Sequence, residues 1–113
     1  MNRIFEIGNL VRDPELKQTT NGISVCNFTI AVNRTSKGVR EVDYFDVVAW
    51  RGLAENCHRY LKKGRKVAVV GELHTRTYET QNGKRRAFEI AADDVEFLSR
   101  ETEQTEDAFA LEF

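Results

Sequence analysis

Val39-Arg40-Glu41-Val42-Asp43-Tyr44-Phe45-Asp46-Val47-Val48-Ala49-Trp50 is a strand with two different faces. Successive side chains on an extended backbone point to opposite sides, so Phe45, Val47 and Ala49 share one face while Tyr44, Asp46, Val48 and Trp50 share the other. The first set suits a core. The second set, rings mixed with charge, suits a partner.

The same two-sided pattern recurs downstream. Lys66 to Tyr78 puts Val67, Val69, Gly71 and Leu73 on one side and Glu72, His74, Arg76 and Tyr78 on the other. Upstream, Ile23 to Val32 follows the Asn21-Gly22 turn signal and repeats Cys26, Phe28, Ile30 and Val32 on one face. Residues 4–11 alternate loosely until Arg12-Asp13-Pro14, where proline fixes the backbone and the first strand is expected to bend or stop. Asn33 to Arg40 reads as a loop. Leu53, Asn56, Cys57, Tyr60 and Leu61 recur at helical spacing, and Lys62-Lys63-Gly64 offers a cationic last turn and a glycine stop, so one helix is predicted near 53–62. Asn82-Gly83 marks a second hairpin, followed by a strand from about Lys84 to Leu98 with an irregularity at Asp93-Asp94.

Three strands, a helix and two strands give an all-β chain. The order predicts a five-stranded OB-fold barrel with one short α-helix between strands 3 and 4, a barrel that often offers a strand face and hairpin loops to oligonucleotides. A half-open sandwich with an appended helix yields the same order. The 113 residues suffice for one compact domain. Residues 1–100 hold 17 Lys and Arg against 13 Asp and Glu, whereas residues 101–113 hold none against five. The expected organisation is therefore a basic barrel over 1–100 and an acidic, flexible tail over 101–113. No apolar run approaches the ~18 residues of a membrane span and none reads as a signal sequence, so a cytoplasmic protein with no membrane association is expected.

Catalysis has little support in the residues. No phosphate-cradling glycine loop, zinc spacing or paired nucleophile and base is present, so no cofactor and no metal is expected. Cys26 and Cys57 read as small buried thiols rather than a redox pair. A nuclease remains a third reading, because Asp43, Asp46 and Glu72 could cluster in space. Binding is better supported, since rings and cations interleave at Tyr44, Trp50-Arg51, Arg76-Thr77-Tyr78 and Lys84-Arg85-Arg86. Bases stack on rings regardless of sequence while cations follow the phosphates. Strand aromatics are commonly core, yet burying these three rings would require both sheet faces to be covered.

Five blocks in order carry a family resemblance. They are Ile7-Gly8-Asn9-Leu10-Val11-Arg12-Asp13-Pro14-Glu15, Phe28 to Arg34, Val47 to Glu55, Tyr60-Leu61-Lys62-Lys63-Gly64 and Gly71 to Tyr78. Over about residues 1–98 the chain resembles the bacterial single-stranded DNA-binding proteins. The resemblance implies an OB-fold, a homotetramer, and a role in coating single strands during DNA replication, recombination and repair, in association with the nucleoid. It places the stacking rings at Tyr44, Trp50 and Tyr78, and the cations expected to line the strand's path are Arg34, Arg51, Lys62, Arg76, Lys84, Arg85 and Arg86. Family members often carry a further aromatic where Ser36 stands here. They also end in a long linker and an acidic tip closing on Ile-Pro-Phe, of which this chain keeps acidity and a terminal phenylalanine. Asp107, Phe109 and Phe113 are therefore the candidate contacts to replication and repair proteins. The alternative is an OB-fold protein-interaction or RNA-binding module.

Overall fold

The computed structural model describes residues 1–98. It contains β1 (Ile4–Leu10), β2 (Glu15–Gln18), β3 (Ser24–Ser36), β4 (Val39–Trp50), α1 (Arg51–Tyr60), β5 (Lys66–Thr80) and β6 (Gly83–Phe97). The sheet runs β1-β5-β6-β4-β3-β2, and β1 also pairs with β3 at Asn9↔Ala31 and Leu10↔Ile30. That last pairing closes the sheet into a barrel. β1 and β2 are two halves of a single barrel strand broken at Arg12-Asp13-Pro14, so the architecture is the expected five-stranded OB-fold, with its helix between the third and fourth barrel strands.

The alternating apolar positions fill the barrel. Cys26 and Ile30 of β3, Val47 and Ala49 of β4, Val67 and Val69 of β5 and Ile90 of β6 are all buried. The helix adds Ala54 and Cys57 to the same cluster, and Ser24 Oγ donates to Glu55 Oε2 at 2.9 Å, pinning α1 to β3. Backbones approach too closely for a side chain at two points, one where β1 meets β3 and one within the β5–β6 pair. A Cβ on Gly8 would sit 2.5 Å from the Ala31 carbonyl oxygen, and one on Gly71 would collide with the Ala91 carbonyl oxygen. Gly71 also sits at a register shift, Val70↔Asp94 followed by Gly71↔Ala92, which leaves Asp93 as the extra residue. This is the irregularity expected at Asp93-Asp94.

Two expectations are corrected. Asn33 to Arg40 is not a loop: β3 and β4 continue as a ribbon to Ser36↔Val39, turning through Lys37 and Gly38, both at positive φ. Beyond the barrel neither face of the ribbon is covered, so the apolar alternation that marks a strand is lost. Ser36 accordingly ends a strand. The helix spans Arg51–Tyr60 instead of 53–62; buried Leu61, in extended conformation, ends it, and Lys62-Lys63-Gly64 belongs to the turn into β5.

Candidate nucleic-acid interface

Cross-strand neighbours share a face, so the register fixes what lies on the outside of the barrel. Asp46 pairs with Glu89, and Glu89 with His74, giving a row of polar groups across β4, β6 and β5. Thr29, opposite Asp46 on β3, extends the row and donates from Oγ1 to Asp46 Oδ1 at 2.7 Å, while Arg12 reaches Thr29 Oγ1 at 3.4 Å. Tyr44 and Arg76 each lie two residues from this row, both toward the hairpin tips. Tyr78 and its cross-strand neighbour Arg85 lie two residues beyond Arg76. Trp50 lies on the other side of the row, where β4 meets the helix.

All three rings are open to solvent. Tyr44 is 67%, Trp50 46% and Tyr78 47% exposed, while Phe28, Val47 and Ile90 on the opposite parity are 4% or less. Parity therefore separated these three rings from the core, but it misplaced Val48, which shares their face and is nevertheless buried. Arg51, directly after Trp50, is exposed and held at φ +59°, a left-handed conformation that costs a non-glycine residue about 1–2 kcal/mol. Such strain beside an exposed ring is characteristic of functional positions.

The expected cations divide. Arg76 and Arg85 share the Tyr78 face, but Lys84 and Arg86 pair with Glu79 and Thr77 and lie on the opposite side of the ribbon. Lys62 stands between α1 and β5. Arg34 is on the opposite face to Tyr44, because Ala31 is the residue opposite that ring and Arg34 is three positions on. Its guanidinium is held by Asp43 Oδ2 at 2.7 Å and Glu41 Oε1 at 2.9 Å, and those carboxylates push its pKa up. Arg34 thus lies off the ring-bearing face, with its charge already matched by two carboxylates. Asp107, Phe109 and Phe113 lie outside the described residues.

Other participants were not identified from sequence. Arg40 shares the Tyr44 face through its pairing with Thr35, and the strand parity would have found it had the ribbon been recognised. Arg12 lines a cleft of about 260 Å³ together with Thr29, Asp46, Arg76 and Glu89; its position past the end of β1 gives no periodic signal. Phe88, 52% exposed, was hidden by its place in the same alternation as buried Ile90. The carboxylates suspected of clustering do not converge: Asp43 binds Arg34, Asp46 accepts from Thr29, and Glu72 lies 2.9 Å from His74 Nε2. Among the described residues no group of three or more His, Cys, Asp or Glu could hold a metal ion.

A closed five-stranded barrel with rings and guanidinium groups on one outer sheet face defines an OB-fold protein. The chain belongs to the single-strand binding protein family, which it matches over residues 1–98. It is 48% identical over 102 residues to a single-stranded DNA-binding protein of Bacillus cereus, covering 87% of this chain and 60% of that one. Single-stranded DNA-binding protein A of Bacillus subtilis is 47% identical over the same length, with 87% and 59% covered. This chain thus spans about three fifths of the length of these Bacillus relatives. Among solved structures, a chain of the Plasmodium falciparum SSB complex with ssDNA superposes with a TM-score of 0.81 at 29% identity, covering 88% of this chain and 96% of that one.

Proposed function

We propose that this chain binds single-stranded DNA without sequence preference and protects it during replication, recombination and repair, as a cytoplasmic, nucleoid-associated protein. The observation that carries the reading is the exposure of Tyr44, Trp50 and Tyr78 on one sheet face, with Arg51, Arg76 and Arg85 beside them. Rings receive unpaired bases and guanidinium groups receive phosphates, so binding involves no chemical step and no cofactor. The named relatives and the ssDNA complex support the same reading. Titration of oligo-dT against Trp50 fluorescence tests it. Quenching that saturates, with a duplex of equal length competing poorly, is expected; equal affinity for duplex and single strand at matched salt would overturn it.

The domain reading is a barrel over residues 1–100 and a separate acidic tail over 101–113. In this reading Asp107, Phe109 and Phe113 engage replication or repair proteins; deleting residues 107–113 then preserves DNA affinity and abolishes capture of those partners. The assembly is a homotetramer. Supporting it, Ile4 to Gly8 pair with β5 on one edge only, among the described residues, and Phe5 and Ile7 point outward at 67% and 54% exposure.

One observation favours a second reading, an OB-fold module for protein partners. Asp46 and Glu89 stand in the middle of the outer face, where they repel a phosphodiester. Failure of excess poly-dT to compete for that face would favour it.

A further inference from the structure

We propose that the β5–β6 ribbon binds single-stranded DNA on both of its faces, with Phe88, Arg86 and Lys84 forming a second stacking surface opposite the one that carries Tyr78. The inference rests on the single-strand reading above and adds a site to it.

The ribbon is free over much of its length. Among the described residues, β1 pairs with β5 no farther than Gly71, and β4 pairs with β6 only at Glu89, Ile90 and Ala91. From there to the Gln81-Asn82 turn no other strand pairs with them among the described residues, and the Asn2 side chain holds β5 only as far as Leu73, accepting from its N–H and donating to its carbonyl. A two-stranded ribbon without neighbours presents two open faces. One carries Arg76, Tyr78 and Arg85. The other continues the parity of the barrel interior, Leu73↔Ile90, but past the last covered position it changes character to Thr75↔Phe88, Thr77↔Arg86 and Glu79↔Lys84.

Phe88 is the informative residue. Two positions before Ile90, which is fully buried, it is 52% exposed, because the barrel that covers Ile90 does not reach it. A large apolar ring in solvent on an isolated ribbon gains nothing for the fold, and the residues next along its face are cations. Arg86 and Lys84 have no ion-pair partner among the described residues, in contrast to Arg34, whose ribbon position is similar but whose charge is matched by Asp43 and Glu41. Lys84 faces Glu79 across the ribbon without an ion pair, which leaves Arg86 as the unopposed cation, and a ring followed by such a charge is complementary to a base followed by a phosphate. The two faces meet at the root of the ribbon, beside the carboxylates of Asp46 and Glu89. A notch of about 80 Å³ there is lined by His74 and Arg76 from the outer face and by Thr75 and Phe88 from the far face. A strand stacked on Tyr78 can therefore continue round the free edge and stack again on Phe88.

The test places a fluorescent ring at the proposed site. Phe88→Trp is made in a Trp50→Phe background of the full chain, so the only indole reports position 88, and long oligo-dT is titrated alongside wild-type protein, whose only indole is Trp50. Quenching at both positions with the same stoichiometry is expected. Quenching at position 50 alone overturns the second surface and leaves the single-strand reading standing; quenching at neither overturns both. Emission from position 88 that shifts with protein concentration in the absence of DNA would assign the face to a second copy of the chain instead. As an independent measure, Phe88→Ala is expected to weaken binding of long oligo-dT about tenfold at an unchanged thermal midpoint, and unchanged affinity would overturn the proposal.

Discussion

Trp50 and Arg51 show what single residues contribute. Trp50 is exposed on the outer face, and truncating it removes a platform without opening the core, so Trp50→Ala is expected to weaken oligo-dT binding by about 1–3 kcal/mol while denaturant unfolding is unchanged. Arg51 behaves differently, because its backbone sits at φ +59°. Arg51→Gly relieves that strain and removes one cation. Stability is expected to rise by about 1 kcal/mol while the dependence of log affinity on log salt becomes shallower by about 0.7, the share of one phosphate contact. A rise in stability without a change in salt slope would make the strained arginine a structural feature only. The two cysteines were legible as inert from their neighbours in sequence, and burial accounts for it: Cys26 is pushed up to about 11 and Cys57 to about 12 from the ordinary 9.0. Because folding raises both values, their contribution to stability holds below pH 9 and is lost as pH climbs toward 11–12. Native protein at pH 8 is expected to resist a thiol reagent that labels the unfolded chain at once.

At the scale of elements, parity carries information only where one face is covered. β4 and β5 could be read in detail because Val47, Ala49, Val67 and Val69 enter the barrel while the alternate positions do not. The ribbon from Asn33 to Arg40 and the far face around Phe88 could not, since outside the barrel both sides meet solvent and composition follows the ligand or nothing at all. The helix ends were misplaced for a related reason: Lys62-Lys63-Gly64 resembles a helix stop, but burial of Leu61 decides where the chain leaves the helix. β1 also carries an element-scale anomaly. Glu6 occupies the same parity as Ile4, Gly8 and Leu10, and burial, with a smaller effect from Asp43, holds its pKa above the ordinary carboxylate value. A raised folded pKa means that stability is fully present in acid and declines as pH rises through that value. Glu6→Gln is therefore expected to raise the thermal midpoint at pH 7 and to make no difference at a pH where the carboxyl is protonated in both states. A lowered midpoint at pH 7 would mean that Glu6 holds a partner that the amide cannot replace.

The barrel is closed, yet as a single copy it keeps an open edge along β1 among the described residues. Ile4 to Gly8 offer unpaired backbone groups along one edge, among the described residues, and the outward side chains of that strand are Phe5 and Ile7 rather than the lysines or prolines that usually protect an edge. Leaving about half or more of two large apolar side chains in water beside free strand edges favours pairing with an identical edge, which buries both at once. The exposed rings are elsewhere: Tyr44, Trp50 and Tyr78 lie on β4 and β5, so the proposed assembly through β1 would leave them open and multiply the faces a long strand can visit. Ile7→Lys places a charge at that edge and reaches none of those rings. The variant is expected to lower the molar mass in solution measured by light scattering, to keep its affinity for an oligonucleotide short enough for one face, and to lose affinity for a long one because the linked faces no longer act together. Unchanged mass would remove β1 as the assembly surface. Lowered mass with undiminished affinity for the long strand would show that a single barrel holds the DNA by itself.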